Sequence, residues 1–200
     1  MQVIEKSRRT LIVAKAMKLF WELGYSATSM SVLAQQQDVS RKGIYSLFDS
    51  KDELFVACLE KYNDEVVTPA FSQVEEKGAS FIDVRRYFET QIAMAEKIGF
   101  PGVGCLIANT MTEIAPHNQQ VLKKITSHHN RLEAGYLNAL KGELNDSFNS
   151  TSTVKLTEIA GFMACTTQGL WSYSRIISSA GDLRSKVDIF IESIEARLGL

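Results

Sequence analysis

"DVSRKGIYSLFDSKDEL", residues 38–54, sets a serine, an arginine and a lysine directly ahead of a glycine in what reads as a short helix. Glycine inside a helix costs about 1 kcal/mol relative to alanine, so Gly43 needs a reason to be there. Asp38 reads as the turn residue ahead of the segment, because aspartate tolerates the left-handed conformation better than most non-glycine residues. Val39 packs inward, Ser40 caps a helix over about 40–46, and Phe48 anchors its exit. Ser50-Lys51-Asp52-Glu53 then has the form of a capping box, with Ser50 as cap and Glu53 reaching back to it. A fourth helix follows through Leu54, Phe55, Cys58, Leu59 and Tyr62.

Upstream, Ile12, Ala16, Leu19, Phe20 and Leu23 recur at three- and four-residue steps, which predicts an amphipathic helix over about 4–23 ended by Gly24. Thr28 and Ser29 offer cap hydroxyls for a short helix at about 30–36, with Val32 and Leu33 inward. Two short helices joined by a tight turn and packed on a longer one make a helix-turn-helix. The second must lie in the major groove with polar side chains near its N-terminus reaching base edges. Arg41 and Lys42 supply donors for guanine O6 and N7. A residue without a side chain at 43 would let the backbone approach the duplex; the plain alternative is a glycine merely tolerated in a short helix. Tyr45 can present its hydroxyl to a phosphate, and Lys51 adds a cation at a helix start.

Charge runs the same way. Residues 1–51 hold eight Lys and Arg against four acids, while the rest of the 200-residue chain holds 14 against 19, so the overall charge of −1 hides a basic end on an acidic body. Such an end suits a polyanion, although a solvated basic face would look alike. With 45% hydrophobic residues and only three prolines the composition leans helical and can bury a real core. No apolar run approaches the roughly 20 residues of a membrane span, and MQVIEKSRRT lacks the apolar region of a signal peptide. A soluble, cytoplasmic protein is expected. Cys58, Cys105 and Cys165 are too widely spaced for a disulfide framework or a zinc knuckle; they read as buried reduced thiols, with a redox-sensing cysteine as the alternative.

The remaining helices follow from periodicity. Pro69 and Gly78 punctuate the chain, Ser80 and Asp83 open a helix through Val84, Tyr87, Phe88, Ile92 and Ala95, and GFPGVG (99–104) is a loop. Cys105–Ala115 is a short apolar helix stopped by Pro116. A helical pattern from about 117 to 147 has a possible interruption near Gly142, and NSTST (149–153) is a loop. Apolar helices over 154–179 and 183–198 are divided by Gly181 and Asp182. The fold class is therefore all-α, with about nine helices and nothing that demands a strand.

GYSATSMSVLAQQQDVSRKGIYSLFDSKDELF (24–55) resembles the N-terminal module of the tetracycline-repressor (TetR/AcrR) family of transcriptional regulators. The resemblance lies in the LF…GY ending of the first helix, Thr28, Leu33-Ala34, Val39-Ser40, Ile44-Tyr45, Phe48, Ser50-Lys51 and Leu54. It implies a three-helix DNA-binding domain over 1–50 and a larger helical effector-binding and dimerisation domain over 51–200. It also implies that Tyr45 and Lys51 contact phosphates, that Thr28 contacts the DNA backbone, and that 40–46, including Ser40, Arg41, Lys42, Gly43 and Ser46, read bases. Two positions depart from the family pattern: Asp38 where glycine is usual, and Lys42-Gly43 where glycine and a small hydroxyl residue are more common. GCLIANTMTEIAPHNQQV (104–121) and QGLWSYSRI (168–176) are similar to stretches of some of these regulators.

The partners implied are a double-stranded DNA operator, a second copy of the chain and a small, largely apolar effector, with no cofactor, no membrane and no metal. Met94, Cys105, Asn109, Met111, Phe162, Thr166 and Trp171 are candidates to line the effector site, because they set a few polar groups among apolar ones; plain core packing is the alternative. Phe162, Leu170, Phe190 and Ile194 are candidates for a four-helix dimer interface. An enzyme or metal protein is the competing class, and His129 with Glu133, four residues apart, is the only helical pair that suggests it. Neither a metalloprotease motif nor a nucleophile elbow nor a phosphate loop accompanies them. The reading is a non-enzymatic repressor released by its effector, with redox sensing through Cys105 or Cys58 as the alternative.

Overall fold

A computed structural model describes residues 2–144 and 150–199, with side chains over 5–144 and 155–199. Within these residues the secondary structure is helical and contains no strand. The helices are α1 (Gln2–Leu23), α2 (Met30–Gln37), α3 (Arg41–Tyr45), α4 (Lys51–Tyr62), α5 (Thr68–Glu75), α6 (Phe81–Ile98), α7 (Leu106–Glu113), α8 (Gln119–Glu143), α9 (Ser150–Tyr173) and α10 (Ala180–Leu198). A π-helical turn, Asn63–Val67, joins α4 to α5 without coil, so the described residues make nine helical stretches and a 3-10 turn at Ala115–His117. It divides into two compact units, Met1–Val67 with Cys105–Thr126, and Thr68–Gly104 with Ser127–Leu200.

The first unit is built on α1. Ile12, Val13, Ala16, Met17 and Phe20 present one buried face and pack with Leu33, Ile44, Phe48, Leu54, Phe55 and Leu59, and with Leu106, Ile107, Val121 and Ile125 from the later segment. The Phe20 and Phe55 rings meet edge to face with centroids 4.8 Å apart, a favoured geometry for paired aromatics. Burial of each such side chain stabilises by about 1.5–3 kcal/mol, and this clamps α2 and α3 onto α1 although α3 has only five residues. Leu23, expected inward, is exposed at the last turn of α1.

The second unit has a core of Phe71, Phe88, Tyr136, Met163, Phe190 and Ile191 from α5, α6, α8, α9 and α10. Several of its polar groups are paired across helices, while His128 Nδ1 and Gln168 Oε1 are buried without a hydrogen bond. The Tyr136 and Thr167 hydroxyls lie 2.7 Å apart, Trp171 Nε1 donates to the Tyr87 hydroxyl at 3.2 Å, and Arg131 grips both Glu75 oxygens at 2.6 Å. Paired in this way, buried polar groups avoid the penalty of an unmade bond.

Several expected boundaries move. Gly142 does not interrupt α8; a Cβ there would sit 2.1 Å from the Ala79 carbonyl oxygen, so glycine allows helix and turn to touch. The end of that helix near 147 lies outside the described residues. Residues 150–153, expected as loop, are helical, and α9 stops at Tyr173 rather than 179. Gly181 and Asp182 lie inside the first turn of α10, whose cap is Ser179, with its hydroxyl accepting from Asp182 N–H at 3.3 Å. Pro69 does not break the helical run: α5, in which it lies, follows directly on the π-helical turn Asn63–Val67 that joins it to α4. Glu53 reaches back one residue further than expected, accepting from Asp49 N–H at 2.7 Å while Ser50 Oγ accepts from Glu53 N–H at 3.1 Å.

Candidate nucleic-acid interface

The turn between α2 and α3 is set by Asp38, left-handed at φ 54° and ψ 42°, whose N–H closes α2 on the carbonyls of Ala34 and Gln35. Val39 N–H also bonds Ala34 at 3.1 Å. Ser40 caps α3, its hydroxyl accepting from Gly43 N–H at 3.0 Å, and the Ser46 hydroxyl donates to the Gly43 carbonyl at 3.0 Å. Ile44 and Leu33 are fully buried and fix the orientation of the short helix. Arg41, Lys42, Tyr45 and Ser46 are left exposed on it, with Ser40 exposed at its start. One face of one helix thus carries two cations, a phenol and hydroxyls, a set able to bond base edges and phosphates.

Three residues expected to contact DNA have internal partners. Thr28 is fully buried, and its hydroxyl donates to the Gly24 carbonyl at 2.6 Å, so its side chain holds the end of α1 instead of facing DNA. Lys51 points inward, with Nζ donating to the Tyr25 carbonyl at 2.6 Å and lying 3.9 Å from the centre of the Tyr25 ring. Loss of solvent lowers its pKa, against the opposing pull of Glu113 and Asp52. Gly43 turns its bare side toward α1 rather than toward open space: the Arg8 Nη2 atom lies 2.7 Å from where a Cβ would be, and Val39 Cγ1 lies 3.0 Å from it.

Sequence reasoning missed a polar latch behind this face. Glu113, at the end of α7, accepts from Tyr25 N–H at 2.9 Å and Ser26 N–H at 2.7 Å. Burial alone would raise its pKa, but the bonds from Ser26 and Tyr25 and the Lys51 charge bring it below the usual value. The Tyr25 hydroxyl donates to Asp52, and Asn118 Nδ2 donates to the other Asp52 oxygen at 2.7 Å. Asn118 Oδ1 in turn caps α8 by accepting from Gln120 and Val121 N–H at 3.0 and 3.1 Å. A residue 88 positions from its partner leaves no local pattern in the sequence.

The expected effector residues fall in both units. Met94, Phe162 and Met111 are exposed, at 53%, 55% and 38%. Cys105, Asn109 and Met111 belong to the first unit, and Thr166 and Trp171 to the second. Of the expected dimer residues, Leu170, Phe190 and Ile194 are buried in the second unit's own core. Phe162 alone faces out, on a stripe of α9 with Glu158, Cys165, Gly169 and Ser172. Exposed Ile176 and Ile189, not singled out from sequence, add apolar surface on the turn after α9 and on α10. A groove of about 990 Å³ between α9 and α10 is lined by Leu156, Ile159, Phe162, Ile194 and Leu198, with Lys155, Glu158 and Arg197 at its edge.

Cys58 and Cys105 are thiols whose pKa burial raises, which disfavours the reactive thiolate. Cys165, expected buried, is exposed. His129 Nε2 lies 3.9 Å from Glu133 and its Nδ1 3.0 Å from Gln168 Nε2; among the described residues no group of three or more His, Cys, Asp or Glu could hold a metal. No helix among them is long and apolar enough to cross a membrane.

Comparison with known proteins places this geometry. Residues 12–58, which run from the buried face of α1 through α3 into α4, match the family described as bacterial regulatory proteins, tetR family. The chain is 28% identical over 183 residues to the HTH-type transcriptional repressor ComR of Escherichia coli (strain K12), covering 84% of this chain and 83% of that protein. It is 20% identical over 190 residues to the HTH-type transcriptional regulator YezE of Bacillus subtilis (strain 168), covering 92% and 95%. Among solved structures it is similar in fold to a TetR-family regulator from Agrobacterium tumefaciens, with TM-score 0.77, 16% identity and coverage of 94% and 98%. It is equally similar, at TM-score 0.77, 20% identity and coverage of 92% and 95%, to the TetR-family regulator CifR, a cysteine mutant bound to 26-base-pair operator DNA. Residues 12–58 thus match a tetR-family DNA-binding module, and the chain is similar over most of its length to HTH-type transcriptional regulators.

Proposed function

We propose that the chain is a homodimeric repressor whose 1–50 region reads an operator and whose 51–200 region joins two copies and releases the DNA when a small, largely apolar effector binds. The observation that carries the reading is the exposed set Arg41, Lys42, Tyr45 and Ser46 on a helix clamped from behind by Ile44. Repression is supported by the names of relatives such as ComR. Two reading heads on one duplex need a dimer, because each α3 spans only part of a site.

The face proposed for the second copy is the α9–α10 surface with Phe162, Ile176 and Ile189, since exposed apolar groups around small residues such as Gly169 and Ser172 favour close helix approach. The effector is placed in the second unit near Thr166 and Trp171, beside the aromatic cluster of Tyr87, Phe88 and Phe190. Release is then a population shift between two arrangements of the dimer, driven by the effector's differential affinity for them.

Sedimentation of the wild-type chain and an Ile189→Glu variant, each also titrated onto a duplex selected from a random pool, tests this. Wild type is expected at twice the 22.3 kDa chain mass, and the variant as a monomer with weakened DNA binding. A wild-type monomer at micromolar concentration that still binds the duplex tightly would overturn the dimer.

A further inference from the structure

We infer that Arg8, on α1, is a phosphate-contacting residue of the DNA interface, and that Gly43 is glycine so that Arg8 can lie across the flank of α3. The inference rests on the DNA-binding reading of α3 and adds a residue and a reason to it.

Two adjacent arginines of α1 have different surroundings. Arg9 is committed internally: its guanidinium sits 4.4 Å from the centre of the Phe48 ring, and Nη2 bonds Glu53 at 3.1 Å. Arg8 is exposed and, among the described residues, makes no hydrogen bond or ion pair. Its terminal Nη2 nevertheless occupies a defined place, against the bare Cα of Gly43, where an added Cβ would come within 2.7 Å. Gly43 follows Arg41 and Lys42 and is bracketed by the Ser40 and Ser46 hydroxyls. The guanidinium therefore lies beside the groove-reading residues, on the side of α3 that faces α1.

Charge supports the assignment. Lys51, the flanking cation expected at the phosphates, donates to the Tyr25 carbonyl at 2.6 Å instead. Arg8, without a hydrogen bond or ion pair among the described residues, carries a planar fork of donors beside Gly43, and that fork matches a phosphate in both charge and geometry. A contact from the flank of a reading helix reaches the sugar-phosphate edge of the groove, so it positions the protein and carries no sequence information. Alanine at 43 would push the flexible end of Arg8 aside and crowd Val39 Cγ1 and Ser40 Oγ, 3.0 and 3.2 Å from the added Cβ, a cost set against the about 1 kcal/mol that a helix gains when alanine replaces glycine. The damage of that substitution would fall on DNA binding.

The test is a salt series with Arg8→Ala, Gly43→Ala, the double variant and Arg41→Ala, on the selected duplex and on single-base variants of it. Thermal unfolding of each protein confirms that the fold is kept, and Arg8→Lys asks whether charge alone restores binding. Arg8→Ala is expected to weaken binding by on the order of tenfold, evenly across the duplex variants. The slope of log affinity against log salt should become shallower by about 2 per dimer, one phosphate for each copy. Gly43→Ala should reproduce both effects, and the double variant should be no worse than the worse single one, since both remove the same contact. Losses that multiply in the double variant would overturn the role of Gly43. Unchanged affinity and slope in Arg8→Ala, with binding lost in Arg41→Ala, would overturn the inference alone. If Arg41→Ala were also silent, the reading of α3 itself would fail.

Discussion

Asp38 holds a backbone conformation that L-residues other than asparagine and aspartate avoid, at a cost of up to about 1–2 kcal/mol. It is the one described non-glycine residue with positive φ. The turn it makes is required, because its N–H closes α2 and the chain must reverse before Ser40 can cap α3. Asp38→Gly should therefore stabilise the protein by about 0.5–1 kcal/mol, read as a higher midpoint in denaturant with an unchanged slope. A lower midpoint would mean that the carboxylate is doing something the turn geometry does not explain. The sequence made this residue legible because left-handed turns draw on few residue types. Thr28 was legible only as a hydroxyl near a helix start, and nothing local indicated that it would be fully buried on the Gly24 carbonyl.

At the level of elements, helices were readable where an apolar period met a cap. α2, α3, α4 and α6 follow the Ser29, Ser40, Ser50 and Ser80 signals closely. Boundaries differ where glycine and proline look like stops: Gly142 marks a close approach to Ala79, and Pro69 follows a π-helical turn inside a continuous helical run. Long-range polar ties were not readable at all. The tie from α7 to the α1–α2 turn is the clearest case, and its strength depends on a charged carboxylate accepting two backbone N–H groups. Glu113→Gln should cost about 1–2 kcal/mol at neutral pH. Because the folded carboxyl titrates below its usual 4.5, wild type keeps this stabilisation above that pH and loses it as pH falls through the lower folded value. The gap between wild type and Glu113→Gln in chemical denaturation should accordingly narrow on acidification below about 4.5. A gap that stays constant with pH would show that the charge is not what holds the turn.

For the whole molecule, the division of labour between a basic reading end and an acidic body was visible in the charges along the chain. The faces of the body were not. Phe162, Phe190 and Ile194 are all apolar and helical, and only the packing separates the one that faces out from the two that build the core. The central claim is that the Arg41, Lys42, Tyr45 and Ser46 face binds duplex DNA through its charges, twice over in a dimer. Its most direct measurement is the salt dependence of affinity for the selected duplex. If a dimer neutralises about six to eight phosphates, log affinity should fall with log salt at a slope near about −5 to −7. A slope near zero, with binding intact, would contradict it.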